Sequence, residues 1–248
     1  MDLDSINRQY DEDGCVIARG LFSADQVAEI DAQIVEFSRT IGPTLKPGQI
    51  AYEDGPRRTI KSIVFMENFS PYFAELRADD RLLIIVSKLL GVGETELGVV
   101  ALFAKTARDG SVTPAHQDNA YYFWEPPLML RASLAIDTHT PENGAMVCLK
   151  GSHRHGIFPH TPTEVKGFSQ SLAGPADEQR FAPIQMCMGV GDVLFHHGDV
   201  IHYSGANKTE RSRRILSFTY NSSVARQNEK KLQLYRQHYE EMYGEKTR

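Results

Sequence analysis

His116-Gln117-Asp118 sets an imidazole and a carboxylate two positions apart, within Thr113-Pro114-Ala115-His116-Gln117-Asp118-Asn119 and just ahead of the aromatic run Tyr121-Tyr122-Phe123-Trp124. On a strand, residues i and i+2 point to one face, so His116 and Asp118 would stand side by side. Two imidazoles and a carboxylate on one face of Fe(II) leave coordination positions open, as oxygen chemistry requires. The triplet supplies two of those groups, and the third must come from elsewhere. With nine histidines and 32 Asp+Glu, similar pairs arise by chance, and His197-Gly198-Asp199 and His238-Tyr239-Glu240 are further examples. The latter lies in a tail with helical bias, where i and i+2 side chains diverge, and reads as solvated surface. In the former, Gly198-Asp199 reads as a turn, which makes Asp199 a turn residue. His196 and His197 then read as a partly buried strand end, or as support behind the ligands, rather than as ligands, and His202 opens the next strand.

The elements that must position these groups fall into two parts. The first 95 residues are a helical support. Ser23 and Gln26 form a capping box, and Val27, Ile30, Ile34 and Phe37 recur at helical spacing. Asp79 or Asp80 caps a helix through Leu82, Leu83, Val86 and Leu90, which Gly91 ends. Gly91-Val92-Gly93 imitates a dinucleotide fingerprint, but Glu96 takes the third glycine's place and a strand follows. Residues 42–58, rich in Pro and Gly, read as a long loop and a candidate lid. From about 96 to 222 the pattern changes to short strands between turns: 98–105, 111–118, 128–137, 146–149, 184–188, 192–197, 200–202 and 213–221. Such spacing predicts a mainly β sandwich or barrel with flanking helices. A helix over about 224–243 closes a single domain spanning 1–248.

The totals agree with an ordinary soluble globular protein. The 248 residues can bury a sizeable core, and with 41% hydrophobic and 24% charged residues and a net charge of −5 the chain has no nucleic-acid-binding character. Cys15, Cys148 and Cys187 match no zinc spacing and suit a reducing compartment. No apolar run approaches membrane-spanning length. The acidic start lacks a signal-peptide pattern and residues 245–248 are not a peroxisomal address, so the expected location is cytoplasmic. A serine hydrolase is set aside, since no Gly-x-Ser-x-Gly elbow occurs.

His116-Gln117-Asp118, Glu142-Asn143-Gly144-Ala145-Met146, Lys150-Gly151-Ser152-His153, Gly191-Asp192, His202-Tyr203-Ser204-Gly205-Ala206-Asn207 and Arg213-Arg214 occur in that order. Together they resemble the phytanoyl-CoA dioxygenase family, over about Asp11 to Tyr220. The resemblance implies a double-stranded β-helix (jelly-roll, cupin-like) core that uses Fe(II), 2-oxoglutarate and O2. It implies His116, Asp118 and His202 as metal ligands and catalytic centre, and Arg213 as the arginine for the cosubstrate's distal carboxylate, with Arg211 and Arg214 as competitors. Lys61, Ser204 and Gln117 join the cosubstrate set by the same resemblance, and Ser133 stands where family members often carry a bulkier side chain. The alternation of a strand from Arg213 puts Arg213, Ile215, Ser217 and Thr219 on one face, able to line a polar mouth, and Arg214, Leu216, Phe218 and Tyr220 on the packing face.

The implied reaction hydroxylates or desaturates a small molecule with release of succinate and CO2. Asn119, Tyr121, Tyr122 and Trp124, with Lys46, Arg57 and Arg58, are candidates for a pocket that takes a small, anionic metabolite. The rival readings are a cupin-like metal isomerase or hydrolase, which would not need Arg213, and a non-catalytic β-helix binding protein. No nucleic-acid or membrane partner is expected.

Overall fold

The computed structural model describes residues 2–54 and 57–243. Gly55 and Pro56 of the candidate lid, and residues 245–248, lie outside the described residues. In chain order the strands are β1 (Cys15–Ala18), β2 (Ile50–Tyr52), β3 (Ile60–Val64), β4 (Thr95–Lys105), β5 (Thr113–His116), β6 (Trp124–Glu125), β7 (Met129–Ala135) and β8 (Met146–Leu149). They continue as β9 (His160–Pro162), β10 (Gln170–Leu172), β11 (Pro183–Met186), β12 (Val193–His197), β13 (His202–Ser204), β14 (Arg213–Ser222) and β15 (Arg226–Gln227). Helices are α1 (Leu3–Asp13), α2 (Ala24–Thr40), α3 (Pro71–Leu76), α4 (Asp80–Leu90), α5 (Asn119–Tyr122) and α6 (Glu229–Tyr243).

A large sheet runs in the order β1-β12-β7-β14-β4-β3-β2 and a smaller one in the order β11-β8-β13-β5. Antiparallel alternation gives each strand of the large sheet two uses. Leu216, Phe218 and Tyr220 of β14 join Leu130, Leu134, Val193 and Phe195 beneath α1, α2 and α4, in the main core. Ile215, Leu194 and Ala135 face the other way and meet Cys148 and Met186 of the small sheet. This is a jelly-roll core, with helices covering one face.

The helical support forms as its caps dictate. Ser23 and Gln26 make both halves of the capping box, and Val27, Ile30, Ile34 and Phe37 are the buried face of α2. Asp79 accepts from the Arg81 amide at the start of α4, and Gly91 ends it at φ 75°. Four expectations change. The strand predicted over 111–118 ends at His116, and Asp118 has helical φ −60° and ψ −40° at the start of α5. Asn119 closes that turn by exchanging hydrogen bonds with the Trp124 backbone. The 42–58 segment is only partly loop, because β2 pairs with β3 at the edge of the large sheet. The strand set at 200–202 begins instead at His202, and the tail helix starts at Glu229. Among the described residues, no helix is long and apolar enough to cross a membrane.

Candidate active site

His116 and His202 lie directly opposite each other on antiparallel β5 and β13, with ring centroids 4.2 Å apart. The His116 Nδ1 lies 2.8 Å from the Pro114 carbonyl and the His202 Nδ1 lies 3.1 Å from that of Val200. A carbonyl can only accept, so each Nδ1 carries the proton and each Nε2 keeps its lone pair for a metal. Asp118 completes the cluster: Oδ1 is 3.9 Å from His116 Nε2 and Oδ2 is 3.9 Å from His202 Nε2. One donor atom from each of the three residues lies within 4.8 Å of the others, and all three residues are buried.

The electrostatics suit the same use. Burial pushes the His116 imidazole down to about 4, and burial together with His116 holds His202 well below its ordinary value. Both rings are therefore neutral at pH 7, as ligands must be. Burial opposes ionisation of Asp118, but Arg131, with His196 and His202, holds its carboxyl well below the usual range. His196 Nε2 donates to Asp118 Oδ2 at 3.0 Å, so this histidine orients the carboxylate from the neighbouring sheet. Two neutral imidazoles and a carboxylate, each fixed by a further hydrogen bond, are a donor set that fits Fe(II).

Three cavities meet at Phe103 and Phe168 beside this cluster. The inner one reaches from the triad to Arg213 past Ser133, Ser204 and Ser217. Arg213 is 3% exposed, and among the described residues its guanidinium donates only to the Gly144 carbonyl, from Nε at 3.1 Å and Nη2 at 2.6 Å. A rear cavity adds Lys61, Lys105 and Glu53. Lys61 donates to Ser111 Oγ at 2.7 Å and lies 4.0 Å from Glu53. Lys105 pairs in register with Arg213 and donates to the Ser111 carbonyl; burial, then Arg213 and Lys61, push it down to about 7. The outer cavity, about 590 Å³, opens past Tyr52, Tyr121 and Tyr122 and is covered by the segment 164–169 between β9 and β10.

The predicted site residues thus divide. His116, Asp118 and His202 converge, and Ser204 and Arg213 line the inner cavity, with Lys61 behind it. Tyr121 and Tyr122 line the outer cavity, whereas the Asn119 side chain is spent on the Trp124 backbone at the α5 turn and Trp124 lines none of the three cavities. Gln117 is fully buried and ties loops together: it donates to the Gly156 and Asp199 carbonyls and accepts from the Phe158 amide. Arg57 is paired with Asp109 and Arg58 stacks on Tyr52, so neither reaches the cavity. Sequence reasoning missed Lys105, Arg131 and Phe168. The available signal for Arg131 was a lone charge among Met129, Leu130 and Ala132. Phe168 offered none, since it belongs to an irregular segment.

A model of the Phytanoyl-CoA dioxygenase (PhyH) family matches residues 10–215. The chain belongs to the phytanoyl-CoA dioxygenase family. This makes it a non-haem iron, 2-oxoglutarate-dependent enzyme, as the resemblance read from the motifs implies. Among its relatives is a probable alpha-ketoglutarate-dependent hypophosphite dioxygenase of Stutzerimonas stutzeri, 26% identical over 226 residues, 88% of this chain and 78% of that protein. The peroxisomal phytanoyl-CoA dioxygenase of Mus musculus is 26% identical over 228 residues, 86% of this chain and 67% of that one. In fold, the chain is similar to EctD from S. alaskensis in its apoform, with TM-score 0.74 and 23% identity over 90% of this chain and 77% of that one. For this family member, the jelly-roll supplies the frame and the helical layer fixes its outer face.

Proposed function

We propose that the protein hydroxylates or desaturates a small metabolite, coupled to conversion of 2-oxoglutarate to succinate and CO2, with His116, Asp118 and His202 holding Fe(II). The observation that carries this reading is the inner cavity itself, which joins the triad at one end to a buried arginine at the other that, among the described residues, has no carboxylate partner. When bound, Fe(II) would activate O2 beside the substrate. Everything else falls to the chain. Arg213 offers a planar fork to the distal carboxylate of 2-oxoglutarate, a match that a lysine's point charge makes less well. Lys105 and Lys61 add positive potential behind it, and Ser204 and Ser217 provide hydroxyls along the wall. The Phe168 ring sits edge-on to His116 at 5.1 Å and, with Phe103, keeps water from the join between the cavities. Tyr235 of α6 meets the Ser169 hydroxyl and so holds that covering segment.

A metal isomerase or hydrolase would have no use for the guanidinium donors of Arg213 that Gly144 leaves over. Anaerobic addition of Fe(II) and then 2-oxoglutarate tests the proposal. A metal-to-ligand charge-transfer band is expected, and its loss in Arg213→Ala with iron still bound ties the arginine to the cosubstrate. Bound iron with no band in the wild type would overturn it.

A further inference from the structure

The outer cavity has aromatic walls and, among the described residues that line it, Arg131 is the enclosed arginine. Arg131 projects from β7 beside Asp118, opposite His196 in register, with its side chain 13% exposed. Burying a guanidinium is costly unless acceptors surround its donors. Those around Arg131 are few. Nη2 donates to the Tyr122 hydroxyl at a long 3.4 Å, and the Phe103 ring centroid lies 5.7 Å from Cζ. Nε lies 3.0 Å from Asp118 Oδ2, a buried ion pair that raises the guanidinium's proton affinity against its burial. Asp118 Oδ2, which also accepts from His196, meets the guanidinium at Nε alone, so the terminal Nη groups are not held by a carboxylate among the described residues.

The charges at the cavity mouth do not substitute for it: Glu164 is exposed, and Lys166 is paired with Asp54. An Asp118 carboxylate committed to a metal would leave Arg131 still less compensated. A ligand in the outer cavity therefore meets a desolvated, forked cation within reach of the triad, and an oxyanion is the group that satisfies it.

We infer that Arg131 receives a negatively charged oxygen group of the primary substrate, which is accordingly a small oxyanion, either a carboxylate or a phosphorus oxyanion. The inference rests on the dioxygenase reading above, because it places that substrate beside the triad. Arg131 is on this account a specificity-determining residue. It selects charge and fixes which end of the molecule faces the metal.

The test titrates the anaerobic Fe(II)·2-oxoglutarate enzyme with acetate, methylphosphonate and, as a neutral control, acetamide, following the charge-transfer band and the heat of binding. At least one anion is expected to bind saturably and perturb the band, acetamide is not, and Arg131→Gln is expected to weaken the anion at least about tenfold. The two anions distinguish a carboxylate from a phosphorus oxyanion. Binding of neither anion by wild-type enzyme that shows the band, or equal binding by Arg131→Gln, overturns the inference. The wild-type arms decide the matter even if the variant does not fold. Absence of the band itself would count instead against the dioxygenase assignment.

Discussion

Arg213 and Arg214 are neighbours on β14 and meet opposite fates. Arg214 points toward α2, donates to Asp137 from Nε and Nη2 at 2.9 Å, and also pairs with Asp31. Asp137 and then Asp31 neutralise its charge and raise the guanidinium's proton affinity against burial. Arg213 points between the sheets and has one carbonyl, and burial pushes it down to about 10. Alternation along the strand makes the difference, since a one-residue step moves a side chain to the other face. A buried charge that the protein has already neutralised belongs to the structure, and one left with unused donors is available to a ligand.

The pair offers a direct way to break that contrast. Arg213→Ala is expected to weaken 2-oxoglutarate binding about 100-fold or more, measured by anaerobic titration of the charge-transfer band, with little change in Tm. Arg214→Ala should do the reverse, leaving cosubstrate affinity within a few-fold and lowering stability by about 2 kcal/mol in urea denaturation, because Asp137 and Asp31 lose their cation. If both substitutions acted on Tm alone, Arg213 would be a structural arginine like its neighbour.

How far this was legible in the sequence follows from the same alternation. The register of β14 was readable because apolar Leu216, Phe218 and Tyr220 mark one face, and the structure buries them all. The His116-Gln117-Asp118 triplet was readable as chemistry but not as geometry: Asp118 reaches His202 by a turn into α5, not along a strand, and turn conformation at a buried polar site depends on tertiary hydrogen bonds such as those of Gln117. Arg131, Lys105 and Phe168 were not found because their roles arise from contacts between distant segments, which local periodicity does not carry. Asn119 stands beside the motif, but its side chain closes the α5 turn against the Trp124 backbone, a use that local sequence does not reveal.

Lys105 provides a smaller, sharper measure of unused charge. Burial, then Arg213 and Lys61, hold it at about 7, so near pH 7.5 a large fraction is neutral in the free protein. Arrival of a dicarboxylate next to Arg213 would raise its proton affinity, and 2-oxoglutarate binding should take up a fraction of a proton. Calorimetry in buffers of different ionisation enthalpy reads this directly. Lys105→Met is expected to abolish the uptake and cost about tenfold in affinity. Uptake that persists in the variant would assign the proton to another group.

The weakest effect expected concerns His139, which touches the Arg214 backbone and feels the charge of Arg213. Its Nε2 meets the Arg214 carbonyl at 3.2 Å, and burial first, then Arg213, push the imidazole down to about 3. Against an ordinary value near 6.5, the unfolded chain binds the extra proton between about pH 3 and 6.5, so this group makes stability rise with pH across that window and fall on acidification. Replacing Arg213 with Met removes the smaller of the two causes and leaves burial in place. The His139 titration should therefore move up only slightly, and the acid unfolding midpoint should shift slightly to lower pH if nothing else changes. Arg214→Met keeps the carbonyl and Arg213, so it should leave the titration of His139 nearly unmoved. Imidazole chemical shifts followed against pH in the two variants discriminate these outcomes. An equal upward shift in both would mean that Arg214's charge reaches His139 despite its carboxylates, and that its neutralisation is less complete than its two ion pairs imply.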